Sequence, residues 1–285
     1  MSNAWQTIGK INLQELAEAR LQLHYAIQFI AATGNALAEP KPDYSHSSLG
    51  WNPKLNAFVG EVIQANTPFQ VALDPVSLTS LILNQKGETI ASFPLHQKTL
   101  GEGMKWHKEE ISKLGAEAEK ITFLSYPPDD FPDHALAHGA SFDATQEAGL
   151  KALTDYYANT HLLLQEIVAT TEGTSPIHTW PHHFDMATLI TLPSTKNGEA
   201  MTIGVGMSPG DQSYNEPYWY ITPYPYPDTA TLPELDGDGF WHTQHWVGAV
   251  LKTSQLSENE TAEAQQEKAR AFVNSAIKAL RSLLI

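Results

Sequence analysis

The side chains able to do chemistry gather in four places along the 285 residues. The first is His178, His182, His183 and Asp185. The chain has no Cys, so imidazole and carboxylate are the ligand types left for a transition metal. If the stretch is a strand, its side chains alternate between faces. His183 then shares a face with Asp185, and His182 shares the other with Phe184 and Met186. A same-face imidazole–carboxylate pair fixes the tautomer and raises basicity. His183 is therefore the candidate base, Asp185 its orienter and His178 a further catalytic group. His178, His182, His183 and Asp185 are also the candidate metal ligands, at a spacing that matches no established zinc motif. The alternative is a polar patch at a strand end.

The second place is His138 with Asp143, where Asp143 is explained as a helix cap and His138 is a candidate ligand contact. The third is His242-Thr243-Gln244-His245, flanked by Trp241 and Trp246, with both His as candidate ligand contacts. The fourth is an aromatic run: Tyr214, Tyr218, Trp219, Tyr220, Tyr224 and Tyr226, interleaved with Pro. Large amphipathic rings with few χ angles make a surface on which a sugar, an aromatic ligand or a partner protein can stack. Tyr218, Trp219 and Tyr220 are its candidate ligand contacts; the alternative is a packed strand and a Pro-rich loop. His161 lies on an apolar helix face and reads as a core residue. No nucleophile elbow, Walker loop or HExxH helix is present, and no motif names a cofactor.

Composition narrows the classes. The absence of Cys excludes disulfides, thiolate catalysis and Cys-ligated metal centres. A net charge of −15 repels a nucleic-acid backbone or an anionic membrane. No run approaches the roughly 20 apolar residues that span a bilayer. Met1–Lys10 lacks a signal-peptide core, so a cytoplasmic location is expected, and the Asn259-Glu260-Thr261 sequon reads as a chance match.

The elements that must position these residues follow from periodicity. Residues 12–34 carry Leu16, Leu23, Ile27 and Ile30 on one helical stripe. Strand-like runs follow at 54–63, 69–73, 78–83 and 88–93, the last two joined by Asn84-Gln85-Lys86-Gly87. A helix is expected at 103–114 and a strand at 121–125. Pro127, Pro128 and Pro132 open a connector. A second long helix begins at the Asp143/Gln146 capping box and carries Leu150, Leu153, Tyr157, His161, Leu164 and Val168. Strands are expected at 182–192, 200–207 and 218–222, with a possible strand at 240–252 beyond a Pro-Gly-rich loop. Ser257-x-x-Glu260 opens a last helix with Ala269, Val273, Ala276, Leu280 and Leu283 on one face.

Both halves run helix, polar link, His (His46 or His178), nearby Trp (Trp51 or Trp180), strands. This predicts an α+β fold of two similar halves, each a long helix packed on a curved, mainly antiparallel sheet. The expected divisions are 1–126, a connector at 127–142, and 143–285, in one compact unit. A Rossmann arrangement conflicts with the hairpins, and Gly204-Val205-Gly206 with Gly210 lacks the GxGxxG spacing.

Ser175-Pro176-Ile177-His178 followed by Phe184-Asp185-Met186-Ala187 resembles the S-P-V-H … F-D-L-A signature of a bacterial family known only as a domain of unknown function. His138-Gly139-Ala140-Ser141-Phe142-Asp143 resembles that family's H-x-S-Y-D stretch, and Met207-Ser208-Pro209-Gly210 its F-W-P-G turn. Tyr218-Trp219-Tyr220 with Pro223, Pro225 and Pro227 resembles its F-Y-A-Y-x-Y-P-x-P run. The likeness spans most of the chain. This chain departs from it at Trp180-Pro181-His182-His183, and at Leu189-Ile190-Thr191, where the family has an Arg. The resemblance implies architecture and candidate positions, with no activity attached. The function expected from the residues is a binding module for a small molecule or a protein, with an aromatic, His-lined cleft. The alternatives are a hydrolase or isomerase with a His–Asp base, metal-assisted or not, and an interaction protein without a pocket. Oligomeric state is left open.

Overall fold

The structure, a computed structural model, describes residues 4–9, 12–127, 130–256 and 259–284. The fold is α+β, with two antiparallel sheets and helices. The chain divides into two units. Among the described residues, the first holds 12–154 and 178–184, and the second holds 4–9, 155–177 and 185–284.

In the first unit, α1 (Leu13–Ala26) and α2 (Gln28–Leu37) replace the single helix expected at 12–34, separated at Ile27. Five strands follow: β1 (Gly50–Asn52), β2 (Ala57–Val59), β3 (Phe69–Asp74), β4 (Thr79–Asn84) and β5 (Thr89–Pro94). They lie side by side in chain order, each antiparallel to the next. The expected run at 54–63 contributes only β2, because Trp51 pairs with Phe58 and residues 53–56 turn the chain. Gly87, at φ 77°, closes the β4–β5 turn on Asn84 as its sequence signals. Helix α3 (Leu100–Lys113) begins earlier than expected because Thr99 and Glu102 form a reciprocal capping box. Phe29 of α2 packs against Gly103 so closely that a Cβ there would lie 2.5 Å from the ring. Residues 121–127 form no strand, contrary to expectation. A short strand β6 (His178–Thr179) meets Leu49, with Thr179 exchanging both backbone hydrogen bonds.

The division between units falls within α4 (Glu147–Thr170). Asp143 does not cap α4: its carboxylate accepts from Thr145 N in a local turn, and the first helical bond runs from Leu150 N to Gln146 O. The second unit holds β7 (Met186–Lys196), β8 (Glu199–Ser208), β9 (Tyr218–Tyr224), β10 (Phe240–His242), β11 (Gly248–Lys252) and α5 (Ala262–Leu284). Its strands run in the spatial order β10-β11-β9-β8-β7. Asn197 (φ 55°) and Gly198 (φ 84°) make the two-residue turn between β7 and β8. The expected strand at 240–252 is two strands, parted by a loop in which His245 sits at φ 68°. Ile203, Val205, Met207, Trp219, Ile221 and Leu251 supply the buried face. The α5 stripe of Ala269, Phe272, Val273, Ala276 and Leu280 is buried too, as its periodicity requires. Thr261 caps α5 through its hydroxyl; Ser257 lies outside the described residues. Among the described residues, no helix is long and apolar enough to cross a membrane.

Candidate ligand-binding face

Strand alternation decides which aromatic residues of β9 are inward. Trp219 is 1% exposed and donates its indole N–H to Thr160 Oγ1 at 3.0 Å. It packs against Trp5 and Tyr156. The expectation that Trp219 contacts a ligand is therefore corrected: its neighbours Tyr218 and Tyr220 point to the opposite face.

On that face each phenol is held by a defined acceptor. Tyr220 Oη donates to Asp185 Oδ2 at 2.5 Å. Its register partner on β8 is Gly206, where a Cβ would lie 2.6 Å from the same hydroxyl, so the ring crosses the strand where no side chain stands. Tyr218 Oη donates to Asp211 Oδ2 at 2.6 Å, and Asp211 Oδ1 accepts from Ser213 N and Tyr214 N. His242 Nε2 lies 2.5 Å from the carbonyl of Gln244, which can only accept, so Nε2 carries the proton. Nδ1 is then the acceptor for Tyr214 Oη at 2.7 Å. His242 stacks on Trp246 with centroids 4.1 Å apart. Lys252 Nζ sits 5.8 Å above the Tyr214 ring and 3.4 Å from Glu216.

Burial and the adjacent carboxylates raise the phenols of Tyr218 and Tyr220 above their ordinary value. They remain protonated donors at neutral pH. Tyr218 itself is buried, whereas Tyr214, Tyr220, His242 and Trp246 are half-buried. His245 is exposed in the loop.

The remaining candidates lie in the first unit. Residues 181–183 form a turn and Phe184 stands at φ 58°, so the strand alternation that paired His183 with Asp185 does not exist; β7 starts only at Met186. His183 instead lies 3.6 Å from Asp130, with His183 exposed and Asp130 half-buried. His182 packs near His183, Trp180 and Tyr126. His138 pairs with Asp133 at 2.7 Å on the surface. His178 meets Ser48 at 2.8 Å. Among the described residues no three His, Asp or Glu side chains are grouped to hold a metal ion, so His178, His182, His183 and Asp185 form no such centre.

Two buried histidines escaped sequence reasoning, because they sit within ordinary amphipathic helices. His24 donates from Nε2 to Pro181 O at 2.9 Å, between the rings of Phe131 and Phe184. Burial brings its pKa down to about 3. His107 donates from Nδ1 to Gly103 O and so accepts at Nε2 from Ser80 Oγ, 2.7 Å away. Burial lowers its pKa to about 4. The Ser80–His107 pair is wired like a nucleophile and its base, yet both residues are 1% exposed. Phe29 stacks on the imidazole with ring centroids 4.5 Å apart. A groove of about 810 Å³ runs along α3, with Met104, Lys105, Lys108 and Phe123 among its lining; none of the sequence candidates lines it.

Comparison with family models, curated proteins and solved structures finds no match for this chain.

Proposed function

We propose that the protein is a binding module that holds a small neutral molecule on the outer face of the second unit's sheet. The observation that carries this reading is the set of half-buried rings Tyr214, Tyr220, His242 and Trp246. Tyr214, Tyr220 and His242 are locked by hydrogen bonds, and Trp246 is stacked on His242. Rings fixed before a ligand arrives lose little rotamer freedom on binding. Hydroxyl-bearing or flat ligands match such a surface, as stacking and hydrogen bonding act together. Binding is favoured over catalysis because the phenols stay protonated and the carboxylates of Asp185 and Asp211 already accept from them.

The test is a thermal-shift screen of sugars and aromatic metabolites, followed by saturation-transfer NMR on the hits. Trp246→Ala is expected to weaken binding at least about tenfold while leaving the unfolding temperature within a few degrees. Equal affinity in Trp246→Ala and Tyr220→Phe removes this face from the function. We further read the two halves as copies of one plan, supported by the antiparallel chain-order pairing of β1 through β5 and of β7 through β9.

A further inference from the structure

The one-hydrogen rule for hydroxyls fixes the chemistry of His178. Ser48 Oγ lies 2.8 Å from the Ser45 carbonyl and 2.8 Å from His178 Nδ1. The carbonyl can only accept, so the serine hydrogen goes to Ser45. His178 Nδ1 must then carry the hydrogen it gives to Ser48, and Nε2 holds the lone pair. No hydrogen-bond partner meets Nε2 among the described residues, and the side chain is half-buried rather than sealed. His107 has the same tautomer, but its Nε2 is spent on Ser80 and enclosed.

His178 has charges of both signs within electrostatic range, with the carboxylates of Asp43 and Glu61 outnumbering the cation Lys41. Asp43 lies within electrostatic range of His178, each acting on the other's charge. Ser45 N anchors the Asp43 carboxylate at 3.1 Å, and among the described residues it has no ion-pair partner. The nearby cation, Lys41, is taken up by Glu61 at 2.5 Å. The indole of Trp180 stands 5.3 Å from the imidazole.

We infer that the first unit carries a second site, at His178, for a small organic ammonium ion. One N–H of the ammonium donates to Nε2, the charge faces Asp43, and the carbon frame lies against Trp180, where an aromatic face favours a cation. An anion would meet a lone pair and a carboxylate, both repulsive. A metal ion would want three or more His, Asp or Glu ligands, and no such group exists among the described residues. Burial lowers the pKa of His178, which keeps Nε2 unprotonated at neutral pH.

The experiment titrates the full-length protein, ¹⁵N-labelled at His and Trp, with benzylammonium, benzyl alcohol and Zn²⁺ in separate arms. Benzylammonium is expected to give saturable shifts at His178 Nε2 and the Trp180 indole, and benzyl alcohol none. Asp43→Asn, a surface change that leaves the fold intact, is expected to weaken the ammonium about tenfold. Ser48→Ala is expected to mix the His178 tautomers in the free protein and weaken binding a few-fold. Equal shifts with benzyl alcohol overturn the site. So do unchanged affinity in Asp43→Asn, a response at His178 to Zn²⁺ alone, or no shift with benzylammonium. The readouts sit in the first unit, so the proposed binding face in the second can fail or stand independently.

Discussion

The two units lean on different buried titratable groups, although Tyr25 is also buried in the first and His161 in the second. The first encloses imidazoles, His24 and His107, that burial keeps neutral. The second encloses phenols, Tyr156 and Tyr218, that burial raises, beside the half-buried Tyr220. Each group is neutral at pH 7, and each becomes costly when pH drives it toward charge. His24 and His107 thus make the first unit the more sensitive to acid, whereas phenols raised by burial occur in both units. The lesson is that polar groups in a core are tolerated through neutrality plus a hydrogen bond.

The largest effect expected is the acid response of the first unit. A histidine with a depressed folded pKa binds its proton less readily than the unfolded chain does. Stability is therefore fully present above about pH 6.5 and is lost as pH falls toward the folded values of about 3 for His24 and about 4 for His107. Each contributes on the order of 3–5 kcal/mol over that window. Hydrogen exchange at pH 7 and pH 4.5 should show protection falling in β3, β4 and α3. His107→Gln should flatten the slope, and an acid response unchanged in that variant breaks the comparison.

The second contrast is within the aromatic run. Trp219→Ala should cost about 3–5 kcal/mol in chemical denaturation, as expected for an enclosed indole. Trp246→Ala should cost under about 1 kcal/mol, because its ring is half-exposed. Similar losses from the two would mean that the outer face is core.

Alkali should act on the second unit. For Tyr218 and Tyr220 the folded pKa lies above the unfolded value near 10, so their contribution is complete below about pH 10 and fades as pH rises beyond it. Tyrosine absorbance should titrate together with loss of protection in β8 and β9. Ionisation of these phenols near pH 10 with the sheet still protected contradicts their burial.

Gly206→Ala sharpens the geometry at a smaller cost, about 1–2 kcal/mol. The new Cβ would fall 2.6 Å from Tyr220 Oη and 2.8 Å from Ala187 Cβ, forcing the ring off Asp185. A crystal structure of the variant with Tyr220 unmoved refutes this. Smallest is Arg270→Ala, which removes a bidentate pair with Glu166 at 2.8 Å on the surface. A loss of about 1 kcal/mol or less, shrinking in high salt, is expected from denaturation curves.

Short-range physics made much of the fold legible in the sequence by itself. The α4 and α5 stripes follow from a 3.6-residue period, which any amphipathic helix must keep. The turns at Gly87 and at Asn197-Gly198 follow from residues that tolerate positive φ. The aromatic run on β9 was also legible, but not which rings face outward, since alternation needs a register and register comes from pairing. The supposed His183–Asp185 pair shows where local reasoning stops. Phe184 takes φ 58° with its ring wholly buried beside His24 and Phe58, so contacts distant in sequence, not propensity, end the strand there. Long-range packing likewise selected which histidines are sealed, His24 and His107, and which keeps an open nitrogen, His178. Burial depends on what the whole chain brings around a side chain, and no periodicity of its own segment records that.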